Sequence, residues 1–270
     1  MRPGTWLVLY CVFCLAACSR PESAPPAAAF GGPADSVIPA GPYGDAVRRG
    51  RALLLATRDS LPHHVANKLR CVSCHLDGSW RGVFARYPQY RPRSGVVETI
   101  EYRVNDCFRR SMNGAALDPA GPDMRDIVAY FAFLSRGTAV GPPAGAPGAR
   151  LQKWATFTAD TAAGARVFAA SCTKCHGAAG EGTAVAPPVW GPQSYNVGAG
   201  MTRVRTAADF ISRSMPFDSP GTLTDQQAFD VAAYVNAHPR PDYRGKENDW
   251  PNGDAPPDVA YPTRPTRRAQ

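Results

Sequence analysis

Twice in 270 residues, two cysteines and a histidine recur at one spacing: Cys71-Val72-Ser73-Cys74-His75 and Cys172-Thr173-Lys174-Cys175-His176. This run attaches a c-type haem, the cysteines forming thioethers to the porphyrin and the histidine taking one axial position on iron. A chain with two such runs must fold around two covalently bound c-type haems, held by Cys71, Cys74 and His75 and by Cys172, Cys175 and His176. The spacing of the runs carries further information. Cys71 and Cys172 are 101 positions apart, and Asp126 in D-I-V-A-Y and Asp230 in D-V-A-A-Y are 104 apart. Recurrence at one period argues for two tandem units of the same architecture.

Each unit ends in a helix with apolar residues at helical spacing: Met124, Ile127, Val128 and Phe131 in one, Ala228, Val231, Ala232 and Val235 in the other. Thr224 followed by Gln227 predicts a capping box for the second. An opening helix precedes each haem motif, over Gly44 to Thr57 in the first unit and after a cap at Asp160 or Thr161 in the second. Gly50 and Gly164 would weaken these helices unless another helix packs closely there. Each unit resembles a class I cytochrome c domain, so the expected fold is all-α: two such domains in tandem, with an irregular linker and tail. The expected division is a leader over 1–17, a flexible tether over 18–40, a first haem domain over 41–136, a linker over 137–159, a second haem domain over 160–240, and a C-terminal tail over 241–270.

The N-terminus reads as an export leader, with Arg2 ahead of the apolar run Trp6 to Leu15. Leu15-Ala16-Ala17-Cys18 resembles the lipobox of bacterial lipoproteins, which implies lipidation at Cys18 and a body held on the periplasmic side of a membrane. No later stretch is long and apolar enough to span a bilayer. The whole chain carries a formal net charge of +8, and losing the leader removes only Arg2, leaving +7. That surplus suits small anions or an acidic redox partner, and no nucleic-acid module is present. Of the eight cysteines, Cys11, Cys14 and Cys18 lie in the leader region and four lie in the haem motifs. Cys107 is left without a disulfide partner.

The sixth iron ligands are less plainly written. In the second unit Met215, in Arg213-Ser214-Met215-Pro216, lies 39 positions after His176 and resembles the Met-Pro segment of class I cytochromes; Met201 is the alternative. Pro187, 11 positions after His176, stands where a proline orients the axial histidine. In the first unit Arg110-Ser111-Met112 repeats Arg213-Ser214-Met215, nominating Met112, yet Cys107 lies five residues earlier. The residues alone leave both a His/Met haem beside an inert cysteine and a His/thiolate haem. His63, His64 and His238 are not at ligand spacing.

The run Tyr90 to Gly114, Y-R-P-R-S-G-V-V-E-T-I-E-Y-R-V-N-D-C-F-R-R-S-M-N-G, resembles the corresponding segment of dihaem thiosulfate dehydrogenases. Ala228 to Tyr261, with Lys246-Glu247-Asn248-Asp249-Trp250-Pro251, is also similar to that family. The resemblance implies that Cys107 and His75 ligate the catalytic haem iron, and that Met215 and His176 ligate the second. Some members place an alternative lysine ligand beside the methionine; here Ser214 stands at that place. It further implies an oxidoreductase that couples two thiosulfate to tetrathionate, or the reverse, and passes electrons from the Cys107 haem to the Met215 haem. A soluble c-type cytochrome or another redox acceptor would receive them.

Joining two dianions requires fixed positive charge, and Arg91, Arg93, Arg103, Arg109 and Arg110 crowd the segment around Cys107. Cys107, Arg93 and Ser111 are the expected catalytic residues, Arg93 and Ser111 as substrate contacts from their family-like placement. A thiolate ligand lowers the haem potential relative to methionine, and its sulfur can form a transient adduct with thiosulfate. Two other readings are a membrane-tethered dihaem electron shuttle without a substrate and the related dihaem subunit of a sulfur-oxidising complex.

Overall fold

The computed structural model describes residues 37–76, 80–141 and 149–263. The expected leader and the lipidation residue Cys18 lie outside them. Among the described residues no helix is long and apolar enough to cross a membrane.

The first unit opens with α1 (Pro42–Leu55), which starts on a proline at its first turn, where the missing N–H costs nothing. A single turn, α2 (Thr57–Ser60), leads to the first haem motif. A hairpin of β1 (Gln89–Arg91) and β2 (Val96–Glu98) follows, antiparallel, with Tyr90 opposite Val97. This hairpin is a small departure from the all-α expectation. Its β-branched pair Val96-Val97 follows Gly95, whose φ of +70° makes the tight turn easy. Then come α3 (Ile100–Arg110), capped by Thr99, and α4 (Pro122–Leu134). The second unit repeats the plan with α5 (Thr161–Ser171), the turn α6 (Thr173–His176), α7 (Val204–Ser214) and α8 (Asp225–Asn236).

In both units the opening helix crosses the closing helix at a glycine. A β-carbon on Gly50 would lie 1.9 Å from the carbonyl oxygen of Asp126, and one on Gly164 would lie 2.1 Å from that of Asp230. The repeat therefore preserves the crossing point itself. The aspartates serve twice: Asp126 accepts from Arg49 Nε at 2.7 Å, and Asp230 accepts from the backbone of Asp160 at 2.9 Å and from Gln226 at 2.7 Å. Asp160 caps α5, and Thr224 with Gln227 forms the expected box on α8.

Val47, Leu54, Phe108, Met124, Ile127 and Tyr130 centre the first core. The second unit holds Phe168 with Val231 and Val235, and, on the other side of α8, Trp154 with Ala208 and Phe229. Trp154 lies within the stretch read as linker. It is fully buried and stacks on Phe229 at 6.0 Å, so the 3₁₀ run Ala149–Thr156 packs as part of the second unit. An indole buries far more apolar area than a tether would expose, which decides its place.

The two units interlock. Tyr195, from the second, is buried in the first core while its hydroxyl reaches Asn236 at 3.2 Å and Arg240 lies over its ring at 4.2 Å. Buried Asn67 donates to the carbonyls of Ser111 at 2.8 Å and Ser194 at 3.0 Å. Asn196 answers from the other side, donating to Arg109 O at 2.9 Å and Asn113 Oδ1 at 3.0 Å. The tail runs back over α3 as a strap: Asp249 takes both Nη atoms of Arg110 at 2.7 Å, and Trp250 N donates to Arg93 O at 2.8 Å.

Candidate haem and thiol site

Both haem motifs sit in single turns that follow a helix and bring the three attachment residues to one side. His75 N bonds to Cys71 O at 3.1 Å and His176 N to Cys172 O at 2.9 Å. All four motif cysteines are free thiols, not paired as disulfides. Burial pushes Cys71 and Cys74 up to about 12 and Cys172 up to about 11, so these sulfurs sit in apolar surroundings. The Nδ1 of His176 lies 2.8 Å from the carbonyl of Pro187, which can only accept. Nδ1 is therefore the protonated nitrogen, and Nε2 keeps the lone pair that an iron requires. His75 is lowered to about 4, first by burial and then by the charge of Arg103, and it stacks on Trp80 at 5.4 Å. Unpaired thiols, imidazoles kept neutral by burial and one correctly fixed tautomer fit a covalent haem in each unit.

Cys107 lies in the last turn of α3, half-buried, on the side of that helix turned to the first haem motif. Its charge adds to the upward shift of both Cys71 and Cys74. Arg103, one turn earlier, donates from Nη1 to Cys107 Sγ at 3.1 Å and is held firmly protonated, chiefly by that sulfur. Met112 occupies a different setting: only 3 % exposed, it packs into the first core. In the second unit Met215 is half-buried directly after α7, whereas Met201 packs between the cores of the two units. His63 is exposed, His64 bonds to Ala115 O at 3.2 Å, and His238 stacks on Trp190 at 3.9 Å.

The arginines divide sharply. Arg103 faces Cys107. Arg93, expected as a substrate contact, ion-pairs with Asp106 and reaches Gly198 O at 3.4 Å, with a side chain only 16 % exposed. Burial lowers its pKa against the pull of Asp106. Arg110 is bound to Asp106 at 2.5 Å and to Asp249, and Arg109 lies over the Tyr102 ring at 5.6 Å. Arg93, Arg109 and Arg110 line a cavity of about 240 Å³ between α3 and the strap, together with Glu98, Tyr243 and Asp249. Ser111 ends α3; its N–H donates to Cys107 O at 2.8 Å and its own carbonyl is taken by Asn67. One arginine was missed by sequence reasoning. Arg203, just before α7 in the second unit, is lowered by burial first, with the charges of Arg91 and Arg103 adding to the shift. It is brought close by the loop Gly198–Met201, whose Ala199 is buried in the first core. No local pattern marks a residue whose neighbours lie about a hundred positions away.

Comparison with known proteins follows the same division. Residues 63–140 match the family described as SoxA/TsdA, cytochrome c domain, and residues 159–235 match cytochrome c oxidase, cbb3-type, subunit III. The chain is 44 % identical over 241 residues to thiosulfate dehydrogenase of Psychrobacter arcticus, covering 84 % of this chain and 73 % of that protein. It is 41 % identical over 237 residues to thiosulfate dehydrogenase of Allochromatium vinosum, covering 80 % and 86 % respectively. Among solved structures it is similar to thiosulfate dehydrogenase (TsdBA) from Marichromatium purpuratum, in its "as isolated" form, with a TM-score of 0.66 and 37 % identity. That match covers 78 % of this chain and 50 % of the solved chain, so the present chain corresponds to about half of it.

Proposed function

This chain belongs to the family of thiosulfate dehydrogenases, and from that membership we propose that it joins two thiosulfate dianions into tetrathionate, with Cys107 as the sulfur that holds the first. The observation that carries this reading is the Arg103 guanidinium 3.1 Å from Cys107 Sγ, on the side of α3 that faces Cys71 and Cys74. A thiol placed only for packing has no need of a guanidinium donating to it.

The protein carries two c-type haems, which supply one-electron acceptors when bound. The chain's own residues do the rest. The Cys107 thiolate and the terminal sulfur of one thiosulfate form an S–S bond as two electrons leave. The terminal sulfur of the second thiosulfate then attacks the sulfane sulfur of that adduct. The central S–S bond of tetrathionate forms and Cys107 departs as thiolate, so charge and atoms balance without a proton. The chemistry runs equally in reverse. Two dianions repel, and the fixed charges of Arg103, Arg91 and Arg203 offset that repulsion. Guanidinium suits the task because it stays charged at any working pH and presents paired donors to an oxyanion.

The proposed iron ligands are His75 with Cys107 in the first unit and His176 with Met215 in the second. Electrons would leave through the second unit to a soluble c-type cytochrome or similar acceptor. Leu15 to Cys18 supports a lipid anchor on the periplasmic side of a bacterial membrane. The test is thiosulfate-dependent reduction of ferricyanide by the purified holoprotein, with tetrathionate assayed as product. Native protein should form it and Cys107→Ala should lose nearly all activity while keeping both haems. Tetrathionate formed at the native rate by Cys107→Ala would overturn the role of that sulfur and favour a protein that only shuttles electrons.

A further inference from the structure

The C-terminal strap reaches the Cys107 sulfur through a continuous row of ion pairs, and we infer that Asp106, held by Arg110 and Asp249, is a positioning residue for Arg103. This rests on the reading of Cys107 as the working sulfur. Arg103, Asp106, Cys107 and Arg110 are spaced i, i+3, i+4 and i+7 on α3, so their side chains share one face. Asp106, with a side chain 5 % exposed, receives Arg93 and Arg103 on Oδ2 and Arg110 on Oδ1. Burial alone would raise its pKa, but Arg93, Arg110 and Arg103 together outweigh burial and hold it below the usual carboxylate range.

The pairing is uneven, and the unevenness has a direction. Arg110 is gripped on both sides, at 2.5 Å by Asp106 and at 2.7 Å by Asp249, and Tyr261 Oη fixes Asp249 at 2.5 Å. Arg103 is held more loosely, at 3.4 Å from Asp106, and has its donors turned to Cys107 Sγ at 3.1 Å. Three guanidiniums against two carboxylates leave one surplus positive charge, and the arginine least claimed by carboxylate is the one beside the sulfur. Asp106 thus orients Arg103 without neutralising it, while the strap pins Asp106 through Arg110. Groups behind a metal ligand or nucleophile act this way through geometry and field.

The experiment uses the dihaem holoprotein and two variants, Asp106→Asn and Asp249→Asn. For each, kcat and KM for thiosulfate, the low-spin His/thiolate resonance, the midpoint potentials of both haems and the melting temperature are measured. Asp106→Asn should lower kcat about tenfold to a hundredfold, shift the resonance and the potential of the Cys107 haem, and leave the Met215 haem potential where it was. Asp249→Asn should do the same to a smaller extent. A lower melting temperature with native kcat, resonance and potential in both variants would overturn the positioning role. If Asp106→Asn does not fold, Asp249→Asn decides by the same readings, because it leaves Asp106's own contacts with Arg93 and Arg103 in place. Native protein lacking the thiolate resonance overturns the Cys107 reading, and this inference with it.

Discussion

The guanidinium of Arg103 lies 3.1 Å from the sulfur of Cys107, one helical turn away on α3. A cation fixed against the sulfur before substrate arrives needs no reorganisation when charge builds there. Arg103→Gln should therefore lower kcat by about a hundredfold, with Arg103→Lys recovering only part of it. Steady-state ferricyanide kinetics at saturating thiosulfate measure this. A Gln variant with native kcat would remove Arg103 from the machinery.

Met215→Ala should keep both haems covalently attached, since the thioethers come from other residues, but abolish the methionine-to-iron charge-transfer band in the near infrared. Met112→Ala should keep that band. Its effect belongs to packing, on the order of 2–5 kcal/mol for a methionine truncated in a close-packed core. Near-infrared spectra of the two oxidised variants decide, and the reverse pattern would return the first haem to Met112.

Gly50→Ala places a methyl 1.9 Å from the Asp126 carbonyl oxygen, and backbone cannot yield as a side chain can. The expected loss is about 1–3 kcal/mol or more in denaturant unfolding. Gly164→Ala should behave alike against Asp230, whereas Gly200→Ala, with nothing nearer than 4.0 Å, is the control.

Burial, and then the hydrogen bond to Asp249, raise Tyr261 to about 12. The unfolded phenol loses its proton near 10, so between about pH 10 and pH 12 only the native state holds it. The stability that Tyr261 contributes is complete below pH 10 and is lost as pH rises through 12. Urea unfolding at pH 9 and pH 11.5 should show the native protein weakening across that range. Tyr261→Phe should lose this part of the slope, and identical slopes would refute the assignment.

Labelling cells with a radioactive fatty acid tests the anchor. Native protein should take up label and Cys18→Ala should not. Absence of label in both would leave an exported protein without one.

The covalent part of the site was legible because its chemistry demands a rigid local spacing: Cys71, Cys74 and His75 can be read within five residues. Gly50 and Gly164 were legible too, since a glycine inside an otherwise good helix implies a close neighbour. The electrostatic part was not. Asp106 and Asp249 meet Arg110 from opposite ends of the chain, 139 positions apart in the second case, and only the fold brings them together. Family-like placement singled out Arg93, but its ion pair with Asp106 is visible only once the fold brings α3 against the preceding loop. Trp154 was hidden for a different reason. Proline- and glycine-rich flanks read as linker, and an isolated indole carries no period to contradict them.

Tyr195 ties the two units into one folding body. A ring from the second unit fills the core of the first while its hydroxyl stays on Asn236 in its own unit. Cut the chain at the midpoint and one fragment has a hole where the phenol sat, while the other exposes it to water. Melting should then be a single cooperative event for both units.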